Sequence, residues 1–173
     1  MEINFIILTI FILAAFYTDV RNKTIPNLLT ISTAVIGLLY HFIDYGLSGL
    51  KFSFLGMTAG LVPFLILYLF KAVGAGDVKL FAAIGTLTGV EFVLYSSMYA
   101  VIYAGIIGIV IVLFRRELKQ RFSRIFVNLF NFVSTKNISE LKKIDDSKNN
   151  FRFPFMYAVL PSIITTYYYF YIY

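Results

Sequence analysis

The feature that most constrains this chain is its series of long apolar runs, most of which contain no charged residue. A helix of about 20 apolar residues crosses the hydrocarbon core of a bilayer. We therefore predict an all-α integral membrane protein, a bundle of about six transmembrane helices that forms a single domain over residues 1–173. The fourth segment is short and carries Lys79, so it is either a span or a re-entrant or tilted element. The six segments are 3–17, 28–43, 52–70, 78–90, 92–114 and 153–173.

Composition supports a membrane protein and excludes several kinds of site. Hydrophobic residues make up 60% of the chain and charged residues only 14%, too little charge to cover the surface of a soluble domain. The chain has no cysteine and a single histidine, His41, which we place at the end of a span near the membrane interface. Disulfides, thiol nucleophiles and Cys- or His-rich metal sites are therefore excluded, and we expect neither a metal nor a cofactor.

The distribution of positive charge predicts the orientation. When the six segments alternate across the membrane, every Lys and Arg except Lys51 falls on one side. Basic loops stay in the cytoplasm, so we predict a protein of the cytoplasmic membrane with both termini outside. The net charge of +6 then reflects membrane topology, and we expect no nucleic-acid partner.

The segment 115–152 is predicted to be a basic cytoplasmic loop. Its first part repeats apolar residues at helical spacing among basic ones, which favours an amphipathic helix on the anionic inner leaflet. The alternative is an extension of the fifth span into solvent. Residues 134–150 are polar and lack periodicity, so we predict a flexible loop. The apolar positions of the helix are Leu118, Phe122, Ile125, Phe126, Leu129 and Val133.

Two aspartates at the predicted cytoplasmic ends of spans are candidates for chemistry. Asp19 follows the first segment, and Asp77 follows the third in the sequence GAGDVK at residues 74–79. Two carboxylates held close in a low-dielectric site cannot easily both ionise, so one retains its proton. A carboxylate beside a carboxylic acid is the pair that an aspartyl protease needs. Gly74 and Gly76 would allow a sharp turn and close approach of a substrate; alternatively, they merely end a helix before a solvated aspartate.

Taken together, these motifs resemble the type IV prepilin peptidases, a GxGD family of membrane proteases. The resemblance rests on DVRNKTIPN at residues 19–27, GAGDVK at residues 74–79, and Phe-Pro-Phe at residues 153–155. It implies that Asp19 and Asp77 are the catalytic pair and that Gly74 and Gly76 shape the catalytic turn. It also implies cleavage, on the cytoplasmic side, of the basic leader that precedes the apolar helix of prepilin-like substrates.

Departures from the larger family members narrow this expectation. Those members have an N-terminal region with paired cysteines and methylate the new N-terminus. This chain begins directly with an apolar segment and has no cysteine, so we expect no methyltransfer. It looks closer to the short members that serve tight-adherence (Tad/Flp) pili, with archaeal preflagellin peptidases as the alternative. Presenilin-like proteases share GxGD, but their Pro-Ala-Leu motif is absent here.

Two other functions and two supporting residues stay open. Asp19 and Asp77 could serve a proton- or cation-coupled transporter, or the chain could be a non-catalytic pilus-assembly factor that binds prepilins. Lys79 either favours the ionised form of a nearby carboxylate or extends to lipid headgroups. Asn27 either hydrogen-bonds within the site or supports the start of its helix. Small residues at Gly105 and Gly108 offer a face for close helix packing. The oligomeric state is not predicted.

Overall fold

A computed structural model describes residues 2–70, 72–114 and 155–172, and this part of the chain is helical. Three of its helices are long and apolar enough to cross a membrane by length and composition. The predicted all-helical architecture is therefore confirmed for the described residues, whereas the count of six spans stays a prediction. The predicted amphipathic helix and loop at 115–152 lie outside the described residues. The helices are α1 (Glu2–Asn22), α2 (Asn27–Leu69), α3 (Ala75–Phe114) and α4 (Met156–Ile172).

The chain divides into two compact units. The first comprises Met1–Ala104 with Phe153–Tyr173, and the second Gly105–Arg152. The first unit contains all the residues that the sequence points to as site candidates. Of the second, the structure describes the end of α3 up to Phe114. The prediction of one membrane domain over residues 1–173 stays a prediction.

Two glycines interrupt the long helices. Gly46 in α2 has φ 59° and ψ −138°, and Gly89 in α3 has φ 80° and ψ −175°. Positive φ is readily adopted only by glycine, so each break depends on the missing Cβ atom. The interruptions fall between the second and third apolar segments of the sequence and at the boundary of the fourth and fifth. The segment boundaries inferred from the sequence therefore coincide with real breaks in the helices.

Glycines also allow the part of α2 after Gly46 to cross α3 at very short range. A Cβ atom on Gly56 would lie 2.0 Å from the carbonyl oxygen of Gly85, and one on Gly60 would lie 2.1 Å from that of Phe81. As residue numbers rise along α2 they fall along α3, so these two segments run antiparallel. Among the described residues, a Cβ atom at Gly105 or Gly108 would meet nothing within 4 Å, so the predicted glycine face makes no close crossing within this part of the chain.

The start of α3 is the most enclosed segment among the described residues. The ring of Phe81 stacks on that of Phe64 in α2, with 3.8 Å between the ring centroids. The fully buried residues of this segment include Leu80, Phe81, Ala83 and Ile84. This segment corresponds to the fourth apolar run, which is too short for an ordinary lipid-facing span. Burial against protein explains how such a short segment is accommodated, because its surroundings are other helices.

His41, which the sequence places at the end of a span, is covered by neighbouring protein. Its side chain is only 5% exposed, and its Nε2 lies 3.1 Å from the carbonyl oxygen of Leu87. The break at Gly46 brings the following turn of α2 back over the imidazole, so that Phe52 packs against it with ring centroids 5.0 Å apart. The interfacial depth of His41 stays a prediction, whereas its burial was not foreseen because the sequence around it does not indicate that the chain folds over it.

Candidate active site

Asp19 lies near the end of α1 and is held there by the last helix. Its side chain is only 7% exposed, and Oδ2 accepts a hydrogen bond from the backbone N–H of Met156 at 3.1 Å. Met156 is the first residue of α4. The first N–H groups of a helix have no partners within that helix. The carboxyl therefore satisfies a buried backbone donor, and α1 and α4 are tied together at this point.

Asp77 lies in the first turn of α3 and closes a small ring of hydrogen bonds with Gly74. Its Oδ2 accepts the N–H of Gly74 at 2.9 Å, and its own N–H donates to the carbonyl oxygen of Gly74 at 3.1 Å. The carboxyl is 9% exposed. A Cβ atom on Gly74 would lie 3.3 Å from Oδ2, closer than most real contacts of this kind. Glycine at this position therefore lets the turn close tightly around the carboxyl.

We refer to Asp19 and Asp77 together as the aspartate pair. The turn that follows Asp19 places Ile25 against Gly76, the residue before Asp77, so the two aspartates lie beside the same turn of the chain. Both are largely shielded from water, and each accepts one backbone N–H. Like charges at short range in such surroundings disfavour double ionisation, so the pair is suited to hold one proton between its members. The sequence predicted Asp19 and Asp77 as a catalytic pair, and that role stays a prediction.

The other candidates gather around this pair. Gly76 packs against Ile25, with 3.6 Å between a Cβ atom built on Gly76 and the Cβ of Ile25. The ammonium of Lys79 donates a hydrogen bond to the side-chain oxygen of Asn27 at 2.8 Å. Lys79 and Asn27, left open as supporting residues, thus contact each other beside the glycine turn. The start of α2 is thereby joined to the start of α3.

The donor set of the site offers little to a metal ion. Within residues 2–70, 72–114 and 155–172, no group of three or more His, Cys, Asp or Glu side chains is placed to hold one. The aspartate pair brings only two carboxyls, and each is already engaged by a backbone N–H. The chemistry that this arrangement supports directly is proton transfer by paired carboxyls.

The chain matches a known protein family. The model of the type IV leader peptidase family matches residues 6–113, which is more than half of the chain and includes the aspartate pair. The chain belongs to the type IV leader peptidase family. The resemblance inferred from the motifs is thereby confirmed, and together with the apolar helices it identifies an integral membrane protein.

A curated relative agrees with this assignment. This chain is 35% identical, over 95 residues, to a prepilin leader peptidase/N-methyltransferase of Vibrio cholerae serotype O1. The matched region is 51% of this chain but only 38% of that relative, so the chain spans well under half of the relative's length. No solved structure matches the chain.

Two contributions to the candidate site were not foreseen. The N–H of Met156 holds Asp19, and Ile25 lies against Gly76. A backbone donor leaves no side-chain signature, although the Phe-Pro-Phe motif had marked the start of the last segment. Phe155, the described residue of that motif, packs edge-on against Phe64 with centroids 6.0 Å apart. The motif therefore includes an aromatic anchor directly before the residue that binds Asp19.

Proposed function

We propose that this chain is a membrane aspartyl endopeptidase that removes the N-terminal leader from type IV prepilin-like proteins. Asp19 and Asp77 are its catalytic residues in this proposal. The observation that carries it is the aspartate pair itself, two buried carboxyls from α1 and α3 that are each held by a backbone N–H. Family membership supports the choice of reaction, because the matched family is one of leader peptidases.

Paired carboxyls can hydrolyse a peptide bond without a metal or a covalent intermediate. The ionised carboxylate takes a proton from water as the water oxygen attacks the scissile carbonyl carbon. The protonated partner meanwhile donates its proton to the carbonyl oxygen. The carbon–nitrogen bond then breaks and the leaving nitrogen takes up a proton, which yields a carboxyl on the leader and a new amine on the mature protein.

The surroundings of the pair suit this chemistry. The N–H groups of Met156 and Gly74 each hold one carboxyl oxygen, which leaves the other oxygen of each carboxyl available for water or substrate. Such bonds fix the orientation of the acids before substrate arrives, and preorganised groups are the more effective catalysts. Gly74 is exposed, and the absence of a side chain at this position leaves room for an extended substrate beside Asp77.

The side of cleavage and the substrate class extend the proposal. The distribution of Lys and Arg favours a cytoplasmic location for both aspartates, where a basic leader would remain while its apolar helix enters the bilayer. We propose Flp-type prepilins as substrates, with preflagellin-like proteins as the alternative, and no methylation of the product. Lipids of the cytoplasmic membrane are the expected surroundings.

The test uses the purified protein in liposomes with a prepilin-type substrate. Mass spectrometry follows loss of the leader for the wild type, Asp19→Asn and Asp77→Asn. Asparagine keeps an oxygen that can accept the bonds from Met156 and Gly74 but cannot exchange a proton. Each variant should therefore lose roughly 10²- to 10⁴-fold in rate while remaining folded. Asp44→Asn and Glu91→Gln make the same chemical change at exposed positions outside the pair and should cleave normally.

The outcomes separate the competing functions. Cleavage by the wild type alone supports the aspartyl peptidase, and the product mass shows whether a methyl group was added. Parallel reactions with Flp-type prepilins and preflagellins decide the substrate class. If Asp19→Asn or Asp77→Asn cleaves as fast as the wild type, the pair is not catalytic. Binding of the substrate by folded wild type with no cleavage would instead favour the assembly factor.

A further inference from the structure

The linker turn, residues 23–26 between α1 and α2, lies against both halves of the aspartate pair. It begins four residues after Asp19, where the N–H of Lys23 donates to the carbonyl oxygen of Asp19 at 2.8 Å and Lys23 itself has φ 53°. At its other end, buried Ile25 packs on Gly76, the residue before Asp77. A displacement of this turn would therefore move the backbone beside each carboxyl.

One side-chain hydrogen bond closes the linker turn onto α3. Asn27 is the first residue of α2, and its side-chain oxygen accepts the bond from the Lys79 ammonium across 52 positions of sequence. Lys79 lies two residues beyond Asp77. Both side chains are exposed, so the bond is on the open side of the site and the aspartate pair is on the buried side. Ile25 lies between Asp19 and Asn27 in sequence, and its partner Gly76 directly precedes Asp77.

We propose that Asn27 and Lys79 are positioning residues, which clamp the linker turn onto the glycine turn and so set the separation of Asp19 and Asp77. This proposal rests on the proposed function only for its effect on rate. Neither side chain needs to touch the substrate. The bond favours the arrangement in which Ile25 covers Gly76, and that arrangement fixes the backbone beside each of the two carboxyls. Misplacement of a reacting group by about 1 Å can cost up to about 10²-fold in rate.

A different role for Lys79 makes a different prediction. If the ammonium served mainly to reach lipid headgroups, its removal would act independently of Asn27. If instead the two residues act as a clamp, either single change already breaks the bond. The second change then adds little, which is the signature of two residues that work through one interaction.

The first experiment measures cleavage kinetics for Asn27→Ala, Lys79→Met and the double variant, with Lys51→Met as the exposed control. Methionine keeps the length of the lysine stem and removes only its donor and charge. Each single variant should lower kcat about three- to ten-fold with little change in KM, and the double variant should resemble the singles. Asn27→Asp and Lys79→Arg retain an acceptor and a donor and should recover most of the loss. Additive effects, a change confined to KM, or wild-type kcat in the single variants would overturn the proposal.

The second experiment reports on position without using activity. The chain has no cysteine, so Ile25→Cys with Gly76→Cys introduces a single pair on a clean background. The distance of 3.6 Å between the Ile25 Cβ and a Cβ built on Gly76 is suitable for a disulfide. Oxidation should cross-link this pair within one chain, and each single cysteine variant should not. Adding Asn27→Ala or Lys79→Met should slow the cross-link several-fold.

The two readouts distinguish failure of this inference from failure of the proposed function. If the wild type cleaves no prepilin but the cross-link depends on Asn27 and Lys79, the proposed function is wrong and the clamp stands. If the wild type cleaves and the cross-link forms equally fast in every background, the clamp is wrong and the peptidase stands. Failure of the cysteine pair to cross-link in folded protein also contradicts the clamp, because the two turns would then not lie together.

Discussion

Replacing Gly56 by alanine tests how the start of α3 is held in place. Gly56 and Gly85 meet at the crossing of α2 and α3, where a Cβ atom on Gly56 would lie 2.0 Å from the Gly85 carbonyl oxygen and 2.9 Å from the Cα of Gly89. These neighbours belong to the backbone and cannot rotate away. The same segment of α3 begins with the turn that carries Asp77. The crossing should therefore affect both stability and catalysis.

The size of the effect follows from the distances. Ordinary van der Waals contact begins at 3.4 Å, so the helices must separate locally by about 1.4 Å to accept the methyl group. Overpacking of this kind costs about 1–3 kcal/mol. Alanine recovers at most about 1 kcal/mol through its better helix propensity. We expect a net loss of stability, together with a fall in kcat of up to about 10²-fold if the shift reaches Asp77.

The assay compares thermal unfolding in detergent and leader cleavage for Gly56→Ala with the same change at Gly105 and Gly108. A Cβ atom at either control position meets nothing within 4 Å, so these variants should match or slightly exceed the stability of the wild type. If Gly56→Ala unfolds and cleaves like the wild type, α2 and α3 do not cross at Gly56 in the membrane protein. Equal losses in all three variants would show that the effect belongs to glycine in helices generally.

Three further predictions concern the carboxyls and the buried histidine. Asp19→Ala should lower the free energy of unfolding by about 1–3 kcal/mol relative to Asp19→Asn, because alanine leaves the buried N–H of Met156 without its acceptor; equal melting temperatures would contradict this. Cleavage should fall at both low and high pH, because the aspartate pair needs one ionised and one protonated carboxyl. Cleavage should also survive a metal chelator. A monotonic pH profile, or loss of activity with the chelator, would count against the mechanism. His41→Leu should destabilise the protein by about 1–3 kcal/mol, because the buried carbonyl of Leu87 loses its partner; an unchanged melting temperature would refute this.

The sequence predicted well those features that depend on local pattern. Apolar segments of the sequence end near residues 43 and 90. The structure departs from helical geometry close to both places, at Gly46 and at Gly89. Polar residues at span ends are conspicuous among apolar neighbours, so Asp19, Asp77 and Asn27 could be found without a structure. Their meeting at one site depends on the order in which the helices pack, which family resemblance anticipated and residue pattern alone did not.

Features that depend on a distant partner could not be predicted in the same way. Small residues at Gly105 and Gly108 look like a packing face, yet the close crossing is at Gly56 and Gly85. A glycine permits close approach of another helix, but nothing near it in sequence identifies that helix. His41 shows the same limitation, because its burial results from the chain folding back after Gly46.

The aspartate pair depends on segments from both ends of the chain. Asp77 is oriented locally by Gly74, but Asp19 is oriented by Met156, which lies 137 positions later in sequence. An acid on α1 therefore reaches its working orientation only when α4 has packed beside it. The first three helices alone contain both carboxyls but lack the donor that holds Asp19. A chain ended before Met156 should accordingly insert into the membrane and carry the GxGD turn, yet cleave far more slowly than the full chain.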